Sequence, residues 1–199
     1  MNAAPILNPF SLFVASIFTS NILLANFLGM CSFISISKDM TSSNGLGMAV
    51  TVVLTITAAL NWVILHHVLI PLQVEYLRFI VFIITIAAVV QVLEMVIDRV
   101  SQALYMSLGI FLPLITVNCA ILGVSLFMEI RNYTFVQSAI YGLGSGLGWW
   151  LAIMALAAIR KKTEKSKISP GLQGPGITVI TIGFMAMAFV GFSGMLAVQ

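Results

Sequence analysis

Long apolar stretches alternate with short polar or turn-rich pieces along this chain. Six such stretches run from about Pro9 to Ser35, Gly47 to Leu69, Arg78 to Ile97, Ala103 to Met128, Thr134 to Ile159 and Gly176 to Val198. Between them lie Ser37-Lys38-Asp39 with Ser42-Ser43-Asn44, Pro71-Leu72-Gln73, Asp98-Arg99, Arg131-Asn132, and the piece from Arg160 to Gly174. A helix needs about 20 mostly apolar residues to cross a hydrocarbon core. It also satisfies its own backbone, as that medium requires. The pattern predicts an all-α integral membrane protein, with six transmembrane helices in one domain over residues 1–199.

Composition removes the competing classes. Of 199 residues, 60% are hydrophobic and 8% are charged, against roughly 25% charged in a soluble domain. A water-soluble enzyme and a disordered chain are both excluded. The net charge of +3 reflects topology. Loops after the first, third and fifth spans hold Lys38, Arg99, Arg160, Lys161, Lys162, Lys165 and Lys167, and the other side holds only Arg78 and Arg131. Basic loops stay in the cytoplasm, so both termini are expected on the outer, periplasmic side. No basic patch interleaved with aromatics offers a nucleic-acid surface, which leaves membrane lipid as the surrounding partner. The first apolar run lacks a basic leader and a small-residue cleavage site, and is not expected to be a cleaved signal peptide.

A faint duplication runs through the chain. Aligning Cys31 with Cys119 also aligns Ile22 with Ile110, Leu24 with Leu112 and Ser37 with Ser125. With a longer offset, Gly45-Leu46-Gly47 falls on Gly142-Leu143-Gly144, and Leu54, Ile56 and Ala58 fall on Leu151, Ile153 and Ala155. Halves of about 9–97 and 103–198 hold three spans each, an odd number, so they must be inverted repeats. Such repeats place their functional site at the midplane, where equivalent helices are broken. Spans one and four carry the breakers, Asn21, Asn26 and Gly29 in one and Gly109, Pro113 and Asn118 in the other. Helices 1 and 4 are therefore expected to be interrupted near the midplane, bringing Cys31 and Cys119 together.

Two cysteines without CxxC spacing exclude a disulfide scaffold, a zinc knuckle or a self-sufficient iron–sulfur protein. Each cysteine reads as a small buried hydrophobe, a metal ligand or half of a disulfide. Two thiolates supply half of a four-cysteine iron–sulfur site, the other half coming from a neighbouring subunit. Helix N-termini at the breaks offset the negative charge of such a group. Glu94, near the inner end of span three, reads either as an ion-handling carboxylate or as one snorkelling to the interface beside Arg99. The overlapping GxxxG spacings of Gly142, Gly144, Gly146 and Gly148 indicate close helix packing, and Gly183, Gly191 and Gly194 are assigned the same role. His66-His67 read as interfacial. Trp62, Trp149, Trp150, Tyr76, Tyr105 and Tyr133 read as interface anchors or packing, and residues 160–167 as a solvated face that can dock an acidic soluble protein. The residues show no nucleophile–base–acid constellation, so no catalytic residue is assigned.

Phe27-Leu28-Gly29-Met30-Cys31, the run from Leu108 to Cys119 (LGIFLPLITVNC) and Tyr141-Gly142-Leu143-Gly144-Ser145-Gly146 resemble one family closely. It comprises the E-type subunit of the sodium-translocating NADH:quinone oxidoreductase and the A-type subunit of the Rnf ferredoxin:NAD oxidoreductase. Ser169-Pro170-Gly171-Leu172 and Gly191-Phe192-Ser193-Gly194 extend the resemblance, and Gly144-Ser145-Gly146 with Gly148-Trp149 looks more like the quinone-reducing branch. The resemblance implies a multi-pass subunit of a six-subunit complex in the bacterial inner membrane, not catalytic alone. It implies pairing with a homologous inverted partner, the D-type subunit in the quinone-reducing complex and the E-type subunit in the Rnf complex. Two cysteines from each partner then hold a [2Fe-2S] cluster, and Cys31 and Cys119 match those positions. Electrons would pass between flavins on the two sides on their way to ubiquinone, with NADH and flavins in other subunits and Na+ as the transported ion. Glu94 matches a family acid implicated in sodium uptake. An inverted-repeat secondary transporter and a structural scaffold are the competing classes.

Overall fold

The computed structural model describes residues 8–100, 112–163 and 174–191, and every regular element among them is helical. The first apolar span does not stay helical throughout. Helix α1 (Pro9–Ile17) starts on a proline, whose missing N–H costs nothing in a first turn. Past its end, Asn21 diverts the backbone. Asn21 Oδ1 accepts from the amides of Leu23 (3.0 Å) and Leu24 (3.3 Å), and Nδ2 donates to Ile17 O (2.9 Å). Such side-chain bonds give the chain an alternative to the helix ladder. Residues 18–29 form turns, and α2 (Met30–Ile36) starts from Gly29 at φ +85°, a conformation that suits glycine.

Helix α3 (Met40–Ile64) begins at Met40, earlier than the expected Gly47. The polar residues that read as a loop are its capped first turn. Asp39 Oδ2 accepts from the amide and the hydroxyl of Ser42, both at 2.9 Å, and Ser43 Oγ donates to Asp39 O (2.7 Å) and Ile36 O (3.1 Å). The Ser42 amide holds the Asp39 carboxyl below its ordinary range. The cap is therefore at full strength above the unfolded-state pKa and weakens as pH falls through the lower folded value. At its other end α3 continues into a wide turn, Leu65–Leu69, where the Ile70 amide reaches Leu65 O. Pro71 follows; a proline ring crowds the carbonyl one turn back, and a widened turn relieves that clash.

The remaining helices are α4 (Arg78–Val100), α5 (Leu112–Thr116), α6 (Cys119–Ile130), α7 (Phe135–Thr163) and α8 (Pro175–Val190). Among the described residues, Met40–Leu72, Glu75–Arg99 and Phe135–Thr163 are long and apolar enough to cross a membrane, while Leu114–Ile130 and Pro175–Val190 are shorter apolar helices. The fourth span also breaks, at residues 117–118. Gly109, Gly194 and residues 164–167 of the lysine-rich loop lie outside the described residues.

Helix α7 is the spine, and its glycines set what can approach it. A Cβ on Gly146 would lie 2.7 Å from Thr51 Cα, and one on Gly142 would lie 2.9 Å from Leu54 O. A Cβ on Gly144 would overlap Ser16 Oγ, and one on Gly148 would reach Ile17 O at 2.9 Å. The pairing runs Asn44–Trp150, Thr51–Gly146, Ala58–Gly142, so α3 is antiparallel to α7. Ser16–Gly144, Ile17–Gly148, Phe33–Trp149 and Ser37–Arg160 run the other way, so α1 and α2 lie end to end along α7, parallel to it. By contrast, a Cβ on Gly183 meets nothing within 4 Å. The packing role expected of that glycine is not found, because no helix among the described residues is pressed against it.

The expectation of a solvated face does not hold for Arg160. It lies in the last turns of α7 and donates from Nη1 to Ile34 O (2.9 Å) and Ser37 Oγ (2.6 Å). A cation is thus placed on the last carbonyls of α2, the negative end of that short helix. Arg160→Ala is expected to lower stability by about 1–2 kcal/mol through the lost charge-assisted bonds. A lowered thermal unfolding midpoint, partly restored in Arg160→Lys, is the measurement; an unchanged midpoint would count against the cap.

Candidate metal centre

Cys119 is the first residue of α6, and Cys31 lies in the first turn of α2. The Asn118 side chain makes the start of α6, its Oδ1 accepting from the Ala120 amide at 3.0 Å. The two interrupted spans meet there, because the Gly29 N–H donates to Cys119 Sγ at 2.9 Å. Ser32 Oγ donates to Leu114 O at 3.4 Å and ties α2 to α5. Only glycine fits at 29: besides its positive φ, a Cβ would stand 2.9 Å from both Asn118 Oδ1 and Trp149 Nε1.

Depth follows from the spine. Trp149 is the central residue of α7, fully buried, with its ring edge-on to Phe33 at 6.5 Å between centroids. Residues touching Trp149 therefore sit midway along a helix of about 43 Å, at 1.5 Å per residue. Gly29 touches Trp149, and Cys119 touches Gly29. The sulfur lies beside the middle of α7.

Both thiols are free and exposed on the surface of the chain. This excludes the disulfide and corrects the reading of each cysteine as a small buried hydrophobe. Each break also shows a bare apolar side chain, Phe27 (51% exposed, at φ +55°) before Cys31 and Val117 (73% exposed) before Cys119. Among the described residues, no group of three or more His, Cys, Asp or Glu could hold a metal unaided. Two open thiols are the number that half of a four-thiolate site would need.

The structure does not bring Glu94 to this place. It lies on α4, partly exposed, with no hydrogen bond or ion pair to the described residues, Arg99 included. His66 and His67 turn Nδ1 toward Trp62 O and Val63 O on their own helix, and His66 stacks on Trp62 at 4.0 Å. They are not arranged as a shared ligand pair. At the same end of the molecule Arg78 pairs with Glu129. Three contacts that support this region escaped the sequence: Trp149 beside Gly29, Arg160 on α2, and a buried Asn61 Nδ2 donating to Ser125 Oγ at 2.8 Å. The last two had a signal, since Ser37 and Ser125 align in the duplication, and each anchors its half-helix to a long helix of the other half.

A family model described as "Rnf-Nqr subunit, membrane protein" matches residues 9–196. The chain is 52% identical over 194 residues to the E-type subunit of the Na(+)-translocating NADH-quinone reductase of Pseudoalteromonas translucida (strain TAC 125), covering 92% of this chain and 96% of the relative. It is 53% identical over 190 residues to the subunit of that name from Yersinia enterocolitica serotype O:8 / biotype 1B (strain NCTC 13174 / 8081), with the same coverage. The same subunit of Alcanivorax borkumensis (strain ATCC 700651 / DSM 11573 / NCIMB 13689 / SK2) is 51% identical over 197 residues.

Proposed function

The chain belongs to the Rnf-Nqr family of membrane subunits, and from that premise we propose that it is the E-type subunit of a Na+-translocating NADH:quinone oxidoreductase. In this reading six spans cross the bacterial inner membrane with both termini outside, as two inverted repeats. Cys31 and Cys119 supply two of four thiolates for a [2Fe-2S] cluster, and the homologous inverted D-type subunit supplies the others. The observation that carries it is the Gly29 N–H···Sγ bond to Cys119 at the midpoint of α7, with both sulfurs open at the chain surface. The crossed anchoring of Ser37 by Arg160 and of Ser125 by Asn61 favours the inverted duplication.

When bound, the cluster supplies one-electron uptake and release. The chain's own residues hold it and set its place. A hydrocarbon core of about 30 Å is too wide for one comfortable electron transfer, and thiols halfway across divide the distance. The Gly29 N–H offsets negative charge on the Cys119 sulfur. Exposed Phe27 and Val117 flank the thiols and provide apolar contact for the partner that completes the ligand set. NADH and the flavins belong to other subunits. The test is the iron content and EPR spectrum of the intact complex. About two irons per complex are expected to disappear in Cys31→Ala and in Cys119→Ala, with the subunits still assembled. Unchanged iron in both variants would overturn the reading.

Glu94 is assigned to Na+ uptake at the inner end of α4, where an ionisable residue in an apolar helix stands partly exposed with no partner among the described residues. Glu94→Ala is expected to raise the apparent Na+ requirement about tenfold, the scale of one lost charge-assisted contact, with less effect on turnover at saturating Na+. An unaltered Na+ dependence removes Glu94 from the path.

A further inference from the structure

Hydroxyls in these helices mostly donate to a carbonyl one turn back on their own helix, as Ser35 Oγ does to Cys31 O (2.8 Å), Thr57 Oγ to Val53 O (2.7 Å) and Ser125 Oγ to Ile121 O (3.1 Å). Ser32 does not. It sits in the first turn of α2, and the residue four places back, Leu28, lies in the turns that precede the helix. Ser32 is fully buried, and its hydroxyl faces two other groups, Leu114 O on α5 at 3.4 Å and Cys31 Sγ at 3.9 Å. Both contacts are long, and a hydroxyl has one proton for the two of them. The two sulfurs are therefore unlike. Cys119 Sγ receives the Gly29 N–H at 2.9 Å, a backbone donor of fixed direction. Cys31 Sγ faces a donor that can rotate. In the free thiol either atom of the Cys31–Ser32 pair can donate. A metal-bound sulfur is a thiolate without a proton, which leaves the serine as the one donor of that pair.

We propose that Ser32 is a positioning residue for the Cys31 sulfur: its hydroxyl turns between Leu114 O and Cys31 Sγ, and donates to the sulfur when that sulfur, as a cluster ligand, carries added negative charge. The inference rests on the proposed ligand role of Cys31. Hydrogen bonds to the sulfurs are among the levers that set an iron–sulfur reduction potential. The reduced form carries one more negative charge than the oxidised form, so a donor that can swing onto sulfur favours reduction. Packing alone explains a small side chain at this buried position. It does not explain a hydroxyl, because a buried hydroxyl with no bond shorter than 3.4 Å costs stability where a methyl group would not.

The experiment separates the hydroxyl from its surroundings. In the intact complex the midpoint potential of the cluster is read by EPR redox titration in Ser32→Ala, Ser32→Thr and Ser35→Ala, with iron content as a check on loading. Ser35 is the control, since its hydroxyl bonds the carbonyl of the same cysteine and not the sulfur. The expected result is full iron in all three variants and a lower midpoint in Ser32→Ala. The shift should be about fivefold in the reduction equilibrium, the scale of one ordinary hydrogen bond, or about 40 mV at 59 mV per tenfold for one electron. Ser32→Thr, which keeps the hydroxyl, and Ser35→Ala are expected to stay at the parent's midpoint. A parent midpoint in Ser32→Ala, or an equal shift in Ser35→Ala, overturns the role of Ser32 while leaving Cys31 as a ligand. Loss of iron from both Ser32 variants overturns it as well, because the serine then serves assembly alone. A cluster signal that survives Cys31→Ala removes the ligand reading on which the inference rests.

Discussion

Cys119→Ala in the assembled complex should abolish NADH-driven quinone reduction while leaving NADH oxidation by a water-soluble dye intact. The split follows from where the thiol sits. In the proposed reading, electron entry from NADH belongs to other subunits and does not touch this chain. The sulfur stands midway along α7, against Gly29, where the proposed relay makes transmembrane passage alone depend on it. The loss in quinone reduction should exceed about 100-fold, since even residues that merely orient a metal ligand cost roughly 10–100-fold. Cys31→Ala should behave alike, as the second sulfur the proposal assigns to the cluster. Both thiols are exposed and the change removes one part-buried bond, from the Gly29 N–H to Cys119 Sγ, a cost of about 1 kcal/mol, so the fold and the other subunits should survive. A parallel loss of dye reduction would mean collapse of the complex and not a broken relay. Retained quinone reduction in both variants would leave the thiols without a role.

That prediction rests on features of very unequal visibility in the sequence. The apolar stretches point to the long helices directly, because a bilayer-facing segment must be apolar along its whole length; α4 and α7 start within a residue of their expected positions. The breaks are visible too, since Asn21, Gly29 and Asn118 are residue types that compete with or terminate a helix, and each does so here. Polar first turns mislead for a physical reason. Ser42, Ser43 and Asn44 look like a loop until Asp39 is seen to cap them and Trp150 Nε1 to donate to Asn44 Oδ1 at 3.1 Å. Contacts such as Arg160 with Ile34 join residues 126 positions apart. No local pattern encodes them, and the arginine looks like any other cytoplasmic charge. Trp149 is legible only in part: its type reads as an interface anchor or as packing, burial selects packing, and its place at the middle of α7 beside Gly29 comes from the fold alone.

Gly146→Ala should be among the most damaging single-methyl changes in this chain, and Gly183→Ala among the least. Both put the same side chain into the interior of an apolar helix, so propensity alone favours each by roughly 0.5–1 kcal/mol. The difference lies in what the methyl meets. At Gly146 it would stand 2.7 Å from Thr51 Cα, a backbone atom of α3 that cannot swing aside as a side-chain tip can. The two long helices must separate along their shared face, where close approach of small residues is the main source of attraction in lipid. Overpacking of this kind costs about 1–3 kcal/mol, more than the propensity gain. Gly148→Ala adds a second injury, since its methyl would press on Asn21 Nδ2 at 2.8 Å and loosen the bond that shapes the first break. At Gly183 nothing lies within 4 Å, and the propensity gain is uncontested. Thermal unfolding of the detergent-solubilised complex should show a lower midpoint for Gly146→Ala and Gly148→Ala and an equal or higher one for Gly183→Ala. Equal midpoints for the Gly146 and Gly183 variants would mean that the α3–α7 contact yields freely, and the placement of Gly29 and Cys119 against that spine would lose its rigid support.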